Sequence, residues 1–317
     1  VIAEIKNECV FTMLLACSVF CSGCSTEQIA APSVVEQKMP VIVVTSFPLY
    51  VMVTEIGGDA VVVEWLSQSA VSPQDWVPSG DDIQRLQSAD LILLNGAGYE
   101  PWTQNLSLPR SRTIDTTTAT VGLAGYADQL LSIDGKVTHQ HGPQGSQSEA
   151  AIAAATWLDP QLAIAQLNRV ELEIVKIVPD RRDQIAVRAT ALRQQLLQID
   201  VRLKALKLNA GQLLADSSDV AYLVSALKWE FHLLESAADD PAVDFSSAIE
   251  TLEPRLLVFR ENAPAEIRKL FVQSAVPAVA IDVCDKSDDE QSFVDRLTGN
   301  IDRLETAMAN AGLLKLR

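Results

Sequence analysis

At 317 residues, with 48% hydrophobic and 21% charged side chains, the chain is long enough for two ordinary domains and too apolar for a disordered one. A formal net charge of −16 argues against a nucleic-acid binder, because phosphates would be repelled. An acidic surface suits a solvated extracytoplasmic protein, and it equally suits plain solubility.

In chain order, residues 1–24 read as a targeting segment. Cys9 to Phe20 is an unbroken apolar or small run, too short to span a bilayer and right for a signal h-region. Only one Lys stands against two Glu ahead of it, a weak n-region. The run ends in Cys21-Ser22-Gly23-Cys24, which resembles a bacterial lipobox and implies cleavage before Cys24 and lipidation of its thiol. The alternative is a plain secretory signal with incidental cysteines. Four of the five cysteines lie in this segment, so Cys24 and Cys284 remain after processing and no intrachain disulfide is expected. Residues 25–40, without periodicity, read as a flexible tether.

The β-branched run Val41-Ile42-Val43-Val44 predicts a strand, and Leu49 to Ile56 a helix stopped by Gly57-Gly58. Val61 to Leu66 is the next strand, and Asp81 to Ser88 a helix whose acidic first turn matches its dipole. Leu91 to Gly96 is a buried parallel strand ending in a turn. This alternation predicts an α/β lobe with a mostly parallel sheet. A low-complexity stretch, Lys136 to Gln147, interrupts it, and Trp157-Leu158-Asp159-Pro160 opens a helix to about Val178. From Asp180 to Lys207, Ile185, Ala189, Leu192, Leu196, Ile199, Leu203 and Leu206 form one apolar stripe on a single helix. At 1.5 Å per residue that helix is roughly 40 Å long, enough to pass along two lobes. Beyond it the α/β rhythm repeats. Strands are expected at Gly211–Ala215, Arg255–Phe259 and Ala278–Asp282, and helices at Val220–Trp229, Ala263–Ser274 and Ser292–Gly312. The expected organisation is residues 1–24 signal, 25–40 tether, 41–179 first lobe, 180–207 linking helix and 208–317 second lobe.

Several strings, in order, carry a family likeness: Thr45-Ser46-Phe47-Pro48-Leu49-Tyr50, Glu55-Ile56-Gly57-Gly58, Ala89-Asp90-Leu91, Asn95-Gly96, Glu100-Pro101-Trp102 and Trp157-Leu158-Asp159-Pro160. Together they make the chain resemble the periplasmic zinc- and manganese-binding proteins of ABC importers, the cluster A-I solute binders, from Val41 to Arg317. The resemblance implies two α/β lobes, each with a mostly parallel sheet, joined by one long rigid helix and closing on a metal ion. It also implies a cognate ABC permease, a periplasmic or cell-surface location, attachment to the membrane by a lipid anchor only, a monomer, and no enzymatic activity.

In that family three histidines and a carboxylate, or two of each, hold the metal, because neutral imidazole can be oriented through its second nitrogen. Here the resemblance puts Gln74 at the first histidine position, inside Pro73-Gln74-Asp75-Trp76, and Ala155 at the second. Ser217 stands at the third, or Asp216 if the loop shifts by one. Only Asp282 matches a family ligand. Zinc or manganese would then be held weakly or not at all.

Three readings follow. A binder could still take a divalent metal through the oxygens of Asp282, Ser217 and Gln74, with Asp216 or Asp219, a set that favours hard cations. A metal-blind paralogue could take another small solute or serve as a surface interaction protein. An enzyme is disfavoured, since no nucleophile–base pair or phosphate loop can be picked out. His139 and His141 could be the remnant of a metal-collecting loop. Two imidazoles supply only half a coordination shell, so the stretch reads first as an exposed loop. His232 reads as structural or surface, Asp239, Asp240 and Asp244 as a solvated loop, and Cys284 as buried.

Overall fold

The computed structural model describes residues 38–66, 76–120, 129–131, 137–139, 153–206, 211–234, 241–287 and 291–314, and all that follows lies in one compact unit, Met39–Arg317. The signal, the tether after it to Gln37, Cys24, Gln74 and His141 lie outside the described residues.

The first sheet contains β1 (Val41–Val44), β2 (Val62–Trp65), β3 (Leu91–Leu94) and β4 (Thr113–Asp115) in the order β2-β1-β3-β4, every pair parallel. Between them run α1 (Phe47–Gly57) and α2 (Gly80–Ser88). β3 is buried at all four positions, as expected of a parallel strand covered on both faces. Ser79 starts α2 with a capping box closed by Asp82, and Asp81 and Asp82 sit at the positive end of its dipole.

The second sheet contains β7 (Gln212–Ala215), β8 (Glu230–Leu233), β9 (Leu256–Arg260) and β10 (Ala278–Ile281) in the order β10-β9-β7-β8, again all parallel. Its helices are α5 (Ala221–Ala226), α6 (Pro241–Leu252), α7 (Ala265–Gln273) and α8 (Phe293–Asn310). The molecule is therefore two parallel-sheet α/β lobes.

Two long helices lie between the sheets in sequence, α3 (Pro160–Ile177) and α4 (Arg182–Ala205). Pro160 opens α3, where its missing N–H is harmless, and Asp159 accepts from Gln161 N at 2.8 Å. Pro179 ends it. The buried residues of α4 include Ile185, Ala189, Leu192, Leu196, Ile199 and Leu203, the stripe visible in the sequence. α4 packs on α1 and α3 of the first lobe and on α8 of the second. One core cluster accordingly runs through both lobes, from Ile42 and Leu93 through the α4 stripe to Leu213, Val258 and Leu304. Burial of this shared stripe resists any sliding of one lobe past the other.

Three expectations need correction, and the strand β4 was not expected at all. Val137–His139 is a strand, β6, paired antiparallel with β5 (Gln129–Leu131), where the composition suggested a loop. Asp244 sits in the first turn of α6, not in a loop, and complements the helix dipole there. The helix after Ser217 ends at Ala226, because Lys228 adopts a left-handed φ of 56° and turns the chain into β8. β4 is three residues long, too short to show a periodicity.

Candidate functional site

The carboxyl ends of both sheets face a common region, the usual place for a ligand in open α/β folds. On the first lobe a polar network builds its wall. Thr45, just past β1, donates to Glu100 Oε1 at 2.5 Å; Asn95 N and Gly96 N donate to the same carboxylate at 2.7 and 3.0 Å. Asn95 Nδ2 then reaches Ala154 O at 2.9 Å, and Gln166 Nε2 bonds Asn95 Oδ1 at 2.9 Å. Gly96 has φ +83°, and a Cβ there would overlap the Asp115 carboxylate, so only glycine fits. The family-like strings at Thr45, Asn95-Gly96 and Glu100 are thus the braces that hold the segment carrying Ala155. Burial pushes the Glu100 carboxyl up to about 7, against the pull of its three hydrogen bonds.

Ala155 itself is buried and precedes a 3-10 turn, Thr156–Leu158. Within that turn Trp157 is 1% exposed, stands edge-on to Tyr99 at 5.1 Å, and donates its indole N–H to Val283 O at 2.7 Å. That bond crosses from the first lobe to the residue after Asp282. The same turn packs on α5, which opens shortly after Ser217. The turn after Ala155 thus touches both the helix that follows Ser217 and the residue that follows Asp282.

The second lobe contributes carboxylates, and arginines neutralise them. Asp216, past β7, accepts from Arg260 N at 2.9 Å and Arg260 Nε at 3.1 Å, while Arg260 Nη1 bonds Asp219 Oδ2 at 3.0 Å. Ser217 Oγ donates to Asp219 Oδ2 at 3.1 Å. Asp282, past β10, is gripped by both edges of the Arg296 fork, Nε to Oδ2 at 2.5 Å and Nη2 to Oδ1 at 2.6 Å. Cys284 N adds a third donor to Oδ1 at 2.8 Å, with Cys284 in the left-handed region at φ 58°. Burial alone would raise the Asp282 pKa, but the Arg296 and Cys284 hydrogen bonds outweigh it and hold the carboxyl below its ordinary value. Cys284 is fully buried in the shared core, as expected.

Tyr99 and Asp285 complete the region. The Tyr99 hydroxyl is buried and has no hydrogen-bond partner among the described residues. Burial first, and then the charges of Asp285, Glu100 and Asp219, push its pKa well above the usual phenol value. Burial also raises Asp285.

Among the described residues no group of three or more His, Cys, Asp or Glu could hold a metal ion. His139 lies in β6, outside both main sheets. Sequence reasoning passed over Arg260, Arg296 and Tyr99. Arg296 left one signal: a cation in the first turn of α8 opposes the helix dipole and calls for a strong acceptor.

No helix among the described residues is long and apolar enough to cross a membrane. Comparison with known proteins puts these observations in context. The zinc-binding lipoprotein AdcA of Streptococcus pneumoniae R6 is 25% identical over 195 residues, 60% of this chain and 36% of that protein. The high-affinity zinc uptake system protein ZnuA of Bacillus subtilis is 26% identical over 147 residues, 45% of this chain and 43% of that protein. The chain thus spans less than half the length of these curated relatives. The nickel complex of the solute-binding protein FpvC from Pseudomonas aeruginosa superposes with a TM-score of 0.69 at 18% identity, covering 88% of this chain and all of that one, a likeness of fold. Residues 42–307 match the family described as zinc-uptake complex component A, periplasmic, and with so much of its length matched the chain belongs to that family.

Proposed function

We propose that this chain is the extracytoplasmic solute-binding component of a metal-type ABC importer whose cleft has lost most of its imidazole ligands. The carrying observation is the state of the cleft carboxylates: Asp282 is taken up by Arg296, and Asp216 by Arg260. Ala155 and Ser217 offer no nitrogen donor, and Gln74 offers an amide. A divalent cation would have to compete with Arg296 for Asp282, with Ser217, Gln74 and Asp216 as auxiliary oxygens, a set that suits Mn²⁺ over Zn²⁺ and binds it weakly. His139 and His141 would at most collect metal outside the cleft. Lobe limits at 41–179 and 208–317, joined by the helix at 180–207, support closure as a small rocking of the second lobe on α4.

The same reading places the protein on the periplasmic or outer face of a membrane, monomeric, lipid-anchored through Cys24 and delivering to an ABC permease. The small residues before Cys24 and the polar tether after it support the anchor. Mass spectrometry of the native protein tests it, and an unmodified Cys24 would count against it. Elemental analysis of protein purified without added metal, followed by titration calorimetry with Zn²⁺ and Mn²⁺, tests the cargo. Stoichiometric, tightly bound zinc would refute the reading.

A second reading, a metal-blind paralogue taking another small polar solute or a surface partner, is favoured by Tyr99. Its buried hydroxyl, unpartnered among the described residues and under the charges of Asp285 and Asp219, would match a ligand's hydrogen-bonding group better than a metal shell.

A further inference from the structure

We infer that Arg296 is a resident cation of the cleft: its guanidinium occupies Asp282 in place of a divalent ion and ties the two lobes together without one. The inference rests on the proposed function only in taking Asp282 as the cleft carboxylate. Arg296 is 8% exposed and every part of its head group is engaged. Nε and Nη2 hold the two oxygens of Asp282, and Nη1 donates to Lys286 O. A fork-to-fork pair of this kind uses the carboxylate lone pairs that a metal would need. With Cys284 N on Oδ1 as well, Asp282 has little coordinating capacity left. A cation approaching it would also meet a positive charge at contact distance.

The other face of the guanidinium lies over the ring of Phe47, 5.3 Å from its centroid. Phe47 begins α1 of the first lobe, whereas Arg296 and Asp282 belong to the second. One side chain therefore does both things a cleft metal does, neutralising the carboxylate of one lobe and contacting the other lobe. Its companion contacts run the same way: α1 touches α8, and Trp157 bonds Val283 across the lobes. Desolvation strengthens the stacking and the ion pair alike.

The test compares wild type, Arg296→Met and the double variant Asp282→Asn/Arg296→Met, all stripped of metal. The double variant removes both charges at similar volume and serves where the single one folds poorly. Calorimetric titration with Zn²⁺ and Mn²⁺ should show no saturable binding at Asp282 in wild type. Arg296→Met should bind one of the two ions about tenfold or more tightly than wild type, because the like charge is gone, and the double variant should lose that gain. Hydrogen exchange should rise in Arg296→Met, and in the double variant, both at Val283–Lys286 and at the start of α1, Phe47–Met52. Wild type binding zinc as tightly as Arg296→Met would overturn the inference. So would exchange that rises only at Val283–Lys286, which would make Arg296 a local brace of its own lobe. Neither readout involves a permease, so failure of the importer reading would appear elsewhere, in transport, and leave these results standing.

Discussion

Replacing Trp157 by Phe isolates a buried hydrogen bond between the lobes. In the native protein the indole N–H sits 2.7 Å from Val283 O, and the ring is 1% exposed. Phenylalanine keeps an aromatic ring against Tyr99, whose edge-on geometry at 5.1 Å survives a smaller partner at modest cost. What is lost is the donor, leaving a buried carbonyl without it, which costs about 1–3 kcal/mol. The space vacated at the far end of the indole adds about 1 kcal/mol, since neighbours fill such gaps only partly. The sum is about 2–4 kcal/mol, a large share of a typical domain's stability. Equilibrium urea unfolding at neutral pH measures it, and hydrogen exchange at Val283 and Cys284 should rise with it. A loss below about 0.5 kcal/mol, with exchange at Val283 unchanged, would refute the view that Trp157 staples the lobes.

Arg260→Gln should destabilise by about 2–4 kcal/mol, because the Asp216 side chain, 1% exposed, would keep its charge without its guanidinium partner; a urea titration showing less than about 1 kcal/mol would contradict this. Glu100 sets a pH dependence: its carboxyl titrates near 4.5 when unfolded and about 7 when folded, so the folded state holds the extra proton between those values. Stability should therefore fall as pH rises from about 4.5 to 7, by about 3 kcal/mol from this group, and the slope should flatten in Glu100→Gln, as urea unfolding at stepped pH would reveal. Restoring imidazoles with Gln74→His, Ala155→His and Ser217→His should raise zinc affinity on the order of a hundredfold or more, and further in the Arg296→Met background. No gain by calorimetry would show that these three positions do not share one site.

Much of the architecture could be read locally. The α4 stripe from Ile185 to Leu203 is a periodicity, and periodicity reports directly which face is buried. The acidic turn at Asp81 and Asp82, and Pro160 after Asp159, marked helix starts because both preferences act within a single turn. β1 and β3 were evident as apolar runs too short for helices. The short β4, β5 and β6 were not, since three residues are held by their partners and not by their own pattern. The family likeness was equally plain, and it lay in Thr45, Asn95, Gly96 and Glu100, which brace the segment carrying Ala155.

The cleft's chemistry belongs to a different class of information. That the chain lacks histidines at Ala155 and Ser217, and keeps a carboxylate at Asp282, is a matter of residue identity and needs no coordinates. Whether that carboxylate is free is another matter. Arg296 is 14 residues from Asp282 along the chain, Arg260 is 44 from Asp216, and Trp157 is 126 from Val283. No local rule selects those partners from among the other arginines and carbonyls. They meet only because two parallel sheets point their carboxyl ends at one place and a shared core holds the lobes there. Local propensity thus determined the elements, while the pairing of the buried charges, which sets how much of Asp282 and Asp216 is left free, was decided by tertiary approach alone.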